Sequence, residues 1–422
     1  MLFEEQPLSG RSWRTPQPMT RGPLAGLPIE VAVLSAVAFF VAAGFGIVAP
    51  AIPVFARSFG VSRTAAAAVV SAFALMRLVS ALGVGRLVNR IGERVVLGTG
   101  IGIVAVSSAL AGLAANYGQL IALRGIGGIG SAMFSVSASS LLLSVTKSSQ
   151  RGRALGCFSG GFLLGGVAGP GLGGLVTGWS LRAPFFLYAG TLAAAGFVGL
   201  ALLPRHRRRA SNEGPGADRP VPLTLGAAIR LPAFRAAAVA NLADSWAALG
   251  VRAAIVPLLV VEVLHEPPIW TGAGFTVFTL ANTATLVLGG RITDRRGRRP
   301  VLLIGCLTSA AGVALLALPA SLVLLMAAMA VFGAGSGLLD VAPGAMLGDV
   351  VGGRGGTVIA GYQMAGDVGS LVGPLAAGAL ADSAGFPAAF GVTAAVLLIA
   401  AGFAARAPET MTTSTDPQLP AR

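Results

Sequence analysis

Six ionisable side chains fall inside long apolar runs: Arg77, Arg124, Asp244, Arg252, Asp340 and Asp367. In a hydrocarbon setting each costs roughly 2.5–3.5 kcal/mol, so each invites a functional reading. The carboxylates could take up and release protons, or hold a cationic ligand. All three lie in the second half of the chain; Glu30 and Glu93 stand only at the edges of apolar runs in the first half. Asp244 and Arg252 are about two helical turns apart, while Arg77 and Asp367 lie at matching depths from opposite ends of their helices. Other chemistries lack their parts. The chain has two histidines, His206 and His265, and two cysteines, Cys157 and Cys306, which read as small apolar packing residues. No Walker motif or metal-ligand spacing is present, so no enzymatic centre, ATPase, metal site or cofactor is predicted.

The elements that must carry these charges follow from composition. The chain has 422 residues, 55% hydrophobic and 11% charged, with mean hydropathy +0.80. A soluble protein of this length needs far more polar surface. A membrane-spanning helix needs about 20 apolar residues. Twelve such runs are predicted, near 31–56, 64–85, 95–116, 119–144, 154–178 and 184–203, then 234–260, 271–289, 300–318, 322–347, 357–381 and 387–405. The net charge of +14 does not point to nucleic acid, because most of the 30 basic residues alternate loop by loop on one side. Arg57, Arg63 and Arg182 alone fall on the other side. This asymmetry predicts a multi-pass protein of a cell membrane with both termini cytoplasmic. The first 29 residues show no cleavable leader, and helix 1 is expected to serve as the targeting signal.

The polar stretch 204–222, "PRHRRRASNEGPGADRPVP", divides the runs six and six. The predicted layout is a tail at 1–29, a six-helix bundle at 30–203, a linker at 204–233, a second bundle at 234–405 and a tail at 406–422. The halves repeat at an offset of 204 or 205. "GRLVNRIGER" (85–94) matches "GRITDRRGRR" (290–299), and "GIGSAMFSV" (128–136) matches "GAGSGLLDV" (333–341), which sets Asp340 opposite Ser135. "GVAGP" (166–170) matches "SLVGP" (370–374), and "GIVAPAIP" (46–53) matches "GVRAAIVP" (250–257). Two similar bundles about a central axis suit a secondary transporter with its site near mid-membrane.

These segments resemble the major facilitator superfamily, and within it the twelve-helix drug:proton antiporter branch. "GRLVNRIGER" resembles the family's loop 2–3 signature, with Gly85, Asn89, Arg90 and Gly92; its second copy supplies Gly290, Asp294, Arg295, Gly297 and Arg298. "RGIGGIGSA" resembles the helix 4 signature carrying Arg124, and "GFGIVAPAIP" the antiporters' helix 1. "GGVAGPGLGG" (165–174) resembles the antiporters' helix 5 signature at Gly165, Gly169, Pro170, Gly173 and Gly174. Small residues permit close helix approach in lipid. The resemblance places this segment against helix 8, at the seam between the bundles. Asn89 and Glu93 depart from the loop signature, and Asn89 lacks the aspartate's charge toward helix 11. The conformational latch is therefore expected to rely more on the intact copy at Asp294.

The resemblance implies an all-α membrane fold of two pseudo-symmetric six-helix bundles, with helices 1, 4, 7 and 10 around a cavity. The expected activity is proton-coupled efflux of hydrophobic drugs or a secondary metabolite, that is, multidrug resistance by antiport. The alternative is an uptake symporter or uncoupled facilitator on the same fold. Asp244 and Asp340 are the favoured proton or cation-substrate sites, with Asp367 and Arg252 also on the pathway and Arg124 expected to tune a carboxylate or sense its charge. Asn241, Asn282, Trp246, Tyr362 and Gln363, with Phe39, Phe40, Phe45, Phe134, Phe275, Phe278 and Phe332, are expected to line the cavity. Arg77 and Asp367 are expected to pair across the seam between helices 2 and 11, closing the cytoplasmic half. The expected partners are a small-molecule substrate, protons and the lipid bilayer of a bacterial cell, without nucleic acid, the chain acting as a monomer.

Overall fold

The computed structural model describes residues 26–146, 150–203, 224–351 and 356–411. The remaining tails, the linker core at 204–223, Lys147 and Arg354 lie outside the described residues. Among the described residues, twelve helices are long and apolar enough to cross a membrane. In chain order they are α1 (Ile29–Arg57), α2 (Arg63–Ile91), α3 (Glu93–Gly112), α4 (Tyr117–Val145), α5 (Arg151–Trp179) and α6 (Ala183–Leu202), then α7 (Pro232–Val263), α8 (Ile269–Arg296), α9 (Arg298–Leu315), α10 (Leu322–Val351), α11 (Thr357–Ser383) and α12 (Phe386–Arg406). These are the twelve expected runs, with ends moved by a few residues. Arg86, Arg90, Arg94, Arg291, Arg295, Arg296, Arg298 and Arg299 gather at one end of the bundle, the basic face. Arg57, Arg63 and Arg182 mark the opposite face.

Local sequence sets the helix ends. Ser62 accepts a hydrogen bond from the Ala65 amide, Asn116 from Gln119 and Ser321 from Leu324, capping α2, α4 and α10. At the basic face α2 passes straight into α3 through Gly92 (φ 89°), and α8 into α9 through Gly297 (φ 102°). These equivalent turns need the left-handed region that glycine enters without strain. Proline breaks two helices. Pro50 and Pro53 interrupt α1 after Val48, and Pro343 interrupts α10, leaving Asp340 and Val341 in a turn between its two helical parts. In α7, π-helical turns at Ser245–Val251 and Leu259–Val263 flank Pro257.

The internal repeat appears as repeated packing. A methyl on Gly165 or Gly173 would collide with the carbonyl of Phe39 or Ile47 on α1, and one on Gly169 with Ala43. The equivalent Gly369 and Gly373 press in the same way on Leu242 and Trp246 of α7. Gly46 sits on Pro170, and Gly250 on Pro374. This corrects one expectation: Gly165, Gly169 and Gly173 close α5 onto α1 within the first bundle, because their four-residue spacing forms one helix face. The face toward α8 carries Gly174, whose added Cβ would lie 2.8 Å from Gly272 Cα, together with Gly171 beside Thr276 and Gly166 beside Thr279.

The two faces therefore predict different phenotypes. Gly169→Leu should destabilise the first bundle by about 1–3 kcal/mol through overpacking, read as a lower Tm of the purified protein. Gly174→Leu should leave the Tm near that of the parent while reducing transport, because it wedges apart only the junction of α5 and α8. Equal loss of stability in both variants would contradict this division.

The α2/α11 seam is joined from the opposite face to mid-depth. Gly378 lies against Thr64, Ser71 Oγ donates to the Leu371 carbonyl at 2.7 Å, and Arg77 pairs with Asp367. Toward the basic face, Val79, Leu82, Ile359 and Met364 are exposed and Gly83 and Gly85 have no neighbour against them. The α5/α8 seam parts likewise beyond Gly166 and Thr279, where Leu164, Val287 and Leu288 are exposed. The halves thus meet at the opposite face and spread at the basic face.

Candidate functional site

The break before Pro343 positions the first functional side chain. Asp340 ends the first part of α10, its amide still bonded to the Ser336 carbonyl at 2.9 Å. Its Oδ2 accepts from Asn282 Nδ2 of α8 at 2.8 Å. Asn282 is buried, and its backbone carbonyl lies against Gly337, so α8 and α10 approach closely enough to hold this contact. Asp340 itself is exposed, on the side of α10 that meets Asn282 of α8.

Asp244 stands at the start of the first π-helical turn of α7 and Arg252 directly after it. Asp244, Asp340 and Arg252 lie within electrostatic reach of one another, with Ser336 beside Asp244. The structure makes no direct salt bridge among the three. Arg252 donates Nε–H to the Ala248 carbonyl at 3.0 Å and lies over the rings of Phe275 (4.7 Å) and Phe278 (4.2 Å). Asp244 Oδ1 is shut off from solvent without a hydrogen-bond partner. The arrangement holds two acids against one cation that is steadied by aromatic faces and a carbonyl. Such a group can bind a proton or a cation without first breaking an ion pair.

The other candidates separate into different settings. Arg77 and Asp367 form an ion pair between the halves, as the matched depths predicted. The expected role of that pair is corrected: it is formed while the basic face is spread, so it does not close that end. Arg77 sits only midway along α2, and the seam parts beyond it. Gln363 is exposed one turn from Asp367. Asn241 donates to the Tyr362 carbonyl at 2.8 Å, and Trp246 Nε1 to Thr393 Oγ1 at 3.3 Å, so both are committed within the second bundle. Tyr362 lies within electrostatic reach of Asp244 and Asp340. Phe134, Phe275, Phe278 and Phe332 are almost fully buried and belong to the core rather than to a cavity lining. Phe39, Phe40 and Phe45 are half-buried.

Arg124 is 3% exposed in the first bundle, stacked at 4.7 Å over Phe73 and near Tyr188. This corrects the expectation that Arg124 tunes a carboxylate: among the described residues its neighbours are Phe73 and Tyr188 of the first bundle, which has no mid-helix acid to offer it. At the basic face, Arg298 bridges Asp294 (3.1 Å) and Asp349 (3.2 Å), all in the second half. The intact loop copy is thus engaged within its own bundle in this conformation. Glu409, beyond α12, accepts from the backbone amides of Arg298 (2.8 Å) and Arg299 (3.1 Å), capping α9. Burial pushes the Glu409 carboxyl up, but the amides of Arg298, Met411, Arg299 and Thr410 outweigh it and hold it below its ordinary value.

Sequence reasoning missed Ser336, Glu409 and a cluster at the opposite face. There, Glu262 of α7 meets Arg57 and Arg63 of the first half, and Asp382 of α11 meets Thr64. Ser336 carried a usable signal, standing one turn before Asp340. The face cluster carried a weaker one, since Glu262 and Asp382 end α7 and α11 on the face where Arg57 and Arg63 flank the loop between α1 and α2.

The sequence profile of the Major Facilitator Superfamily matches residues 34–251 and 245–419. The chain is 27% identical over 176 residues to the quinolone resistance protein NorA of Staphylococcus aureus (strain MRSA252), covering 42% of this chain and 45% of that protein. It is 28% identical over 185 residues to multidrug resistance protein 1 of Bacillus subtilis (strain 168), covering 44% and 48%. The alignments thus span about half the length of these curated relatives. The fold is similar to a bacterial homologue of the human lysosomal transporter Spinster, solved inward-facing and unoccupied, with TM-score 0.71 and 15% identity over 89% of this chain and 95% of that one.

Proposed function

Since the chain belongs to the Major Facilitator Superfamily, we propose that this multi-pass membrane protein is a proton-coupled exporter of hydrophobic small molecules. The observation that carries the reading is the group of Asp244, Asp340 and Arg252, two acids facing one cation. The names of two relatives, a quinolone resistance protein and a multidrug resistance protein, support export of drug-like compounds. The crowding of arginines at one face supports a cytoplasmic location for that face and for both termini. Substrate then enters from the cytoplasm while the basic face is spread. Release outside follows closure of that face and parting of the other.

Coupling follows from competition for the same acids. A proton on the Asp244–Asp340 pair removes negative charge and weakens the hold on a cationic or polar substrate. Loss of the proton restores it. Because the acids face the two sides of the membrane in turn, a proton moves inward for substrate moved outward. Differential binding of the two conformations is what lets either ligand drive the other.

The test is flux in proteoliposomes with a quinolone as the first probe and an imposed pH gradient. Antiport predicts uphill quinolone movement toward the more acidic compartment, and its collapse on adding a protonophore. Movement toward the alkaline side with the proton would indicate symport, and flux that ignores the gradient an uncoupled facilitator. Either result overturns the proposal.

A further inference from the structure

At the opposite face, α1 and α7 come together where their repeat positions nearly coincide. The repeats run at an offset of 204 at "GIVAPAIP" and "GVRAAIVP", and at 205 from "GRLVNRIGER" onward to "GIGSAMFSV". Between these segments lies the second π-helical turn of α7, Leu259–Val263, where the Leu264 amide reaches back to the Leu259 carbonyl at 3.0 Å. A π turn accommodates one extra residue in a helix. Its effect is to set Glu262 at an offset of 205 from Arg57, which it meets. Residues equivalent under a two-fold axis touch only close to that axis, and two identical charges there would repel. Here they are opposite in sign.

We propose that Glu262 is the gating residue of the opposite face, a single carboxylate that binds two guanidinium groups of the other half. Its Oε1 accepts from Arg57 Nε and its Oε2 from Arg63 Nε, each at 2.7 Å. The Glu262 side chain is 18% exposed, and the arginines 33% and 28%. Arg63 also donates to the Ala381 carbonyl at 2.9 Å and lies 4.7 Å over the Phe386 ring. Asp382 accepts from the amides of Arg63 (3.1 Å) and Thr64 (2.9 Å) and from Thr64 Oγ1 (2.6 Å), capping α2 from across the seam. Arg63 therefore ties the start of α2 to α7, α11 and α12 together. Without Glu262 the two arginines of the first half lose the carboxylate of the second half that holds them, so the closed form of this face loses stability relative to the parted one. The role rests on the proposed alternation of the two faces, but its test does not use transport.

The experiment is pulsed electron–electron distance measurement on the full chain, with Cys157 and Cys306 replaced by alanine. Spin labels at Ser58→Cys and Ala384→Cys report the opposite face; labels at Arg90→Cys and Arg296→Cys report the basic face. Glu262→Gln should raise the ratio of parted to closed opposite face by roughly three- to tenfold, the scale of two partly exposed ion pairs lost together. The basic-face distance should shorten in parallel. In an Arg57→Gln, Arg63→Gln background the same substitution should add nothing, because its partners are already gone. An unchanged distribution in Glu262→Gln overturns the proposal. So does an equal shift in the double-glutamine background, which would assign the effect to something other than the bridge. A shift in distance without any quinolone flux would leave the gate standing and reject the export reading.

Discussion

Asp340→Asn is expected to reduce uphill, pH-driven quinolone transport to the level of protein-free vesicles while leaving expression and Tm near those of the parent. The substitution is close to isosteric. Asparagine can present its carbonyl oxygen to Asn282 Nδ2, keeping the 2.8 Å contact that ties α10 to α8. What it removes is the capacity to gain and lose a proton, at one of the two carboxyl groups within electrostatic reach of Arg252. The break made by Pro343 is unaffected, so the backbone that presents the side chain is retained. Downhill exchange should survive at a reduced rate, since alternation of the faces does not itself need the acid. A variant that still concentrates quinolone against its gradient would move the coupling role to Asp244.

The second large effect concerns the ion pair at mid-seam. Arg77→Asp should place two carboxylates together, and Asp367→Arg two guanidiniums, each lowering transport by about tenfold or more. The double exchange should recover a substantial part, because contacting charges couple by roughly 0.5–3 kcal/mol in such cycles. The stability cost of either single change should stay below the 3–5 kcal/mol typical of a dry pair, since the Arg77 side chain remains 38% exposed. The measurement is initial flux in the four members of the cycle at matched protein density. A double exchange no better than the poorer single variant would show that the contact has no role in transport.

Much of this was legible in the sequence because membrane insertion writes itself in long apolar runs and a duplicated chain writes its symmetry in fixed offsets. The twelve helices follow from the apolar runs, the two bundles from the repeat together with the family resemblance, and the pairing of Arg77 with Asp367 from matched depths once the resemblance sets helices 2 and 11 side by side. Helix direction was the harder quantity. Gly165, Gly169 and Gly173 share a face with one another, but spacing does not say whether that face meets α1 or α8. The aromatic residues posed the same difficulty: Phe275, Phe278 and Phe332 are core, and a buried ring and a cavity ring have the same spacing. The π turns of α7 were hidden because no residue type marks them. They set where Asp244, Arg252 and Glu262 point. Only the change of offset from 204 to 205 recorded the second one.

The central claim, that substrate and protons exchange through one acid group, is tested most directly by watching the proton. Proteoliposomes with a trapped pH indicator and no imposed gradient would be preloaded with a quinolone and diluted into quinolone-free medium, with a quinolone of fixed charge over the working pH range to exclude passive proton carriage. The account predicts that quinolone leaving the lumen drives protons into it, so the interior acidifies in the parent protein and does not in Asp340→Asn. Quinolone efflux at the parent rate with no change in internal pH, or an interior that turns alkaline, would contradict it.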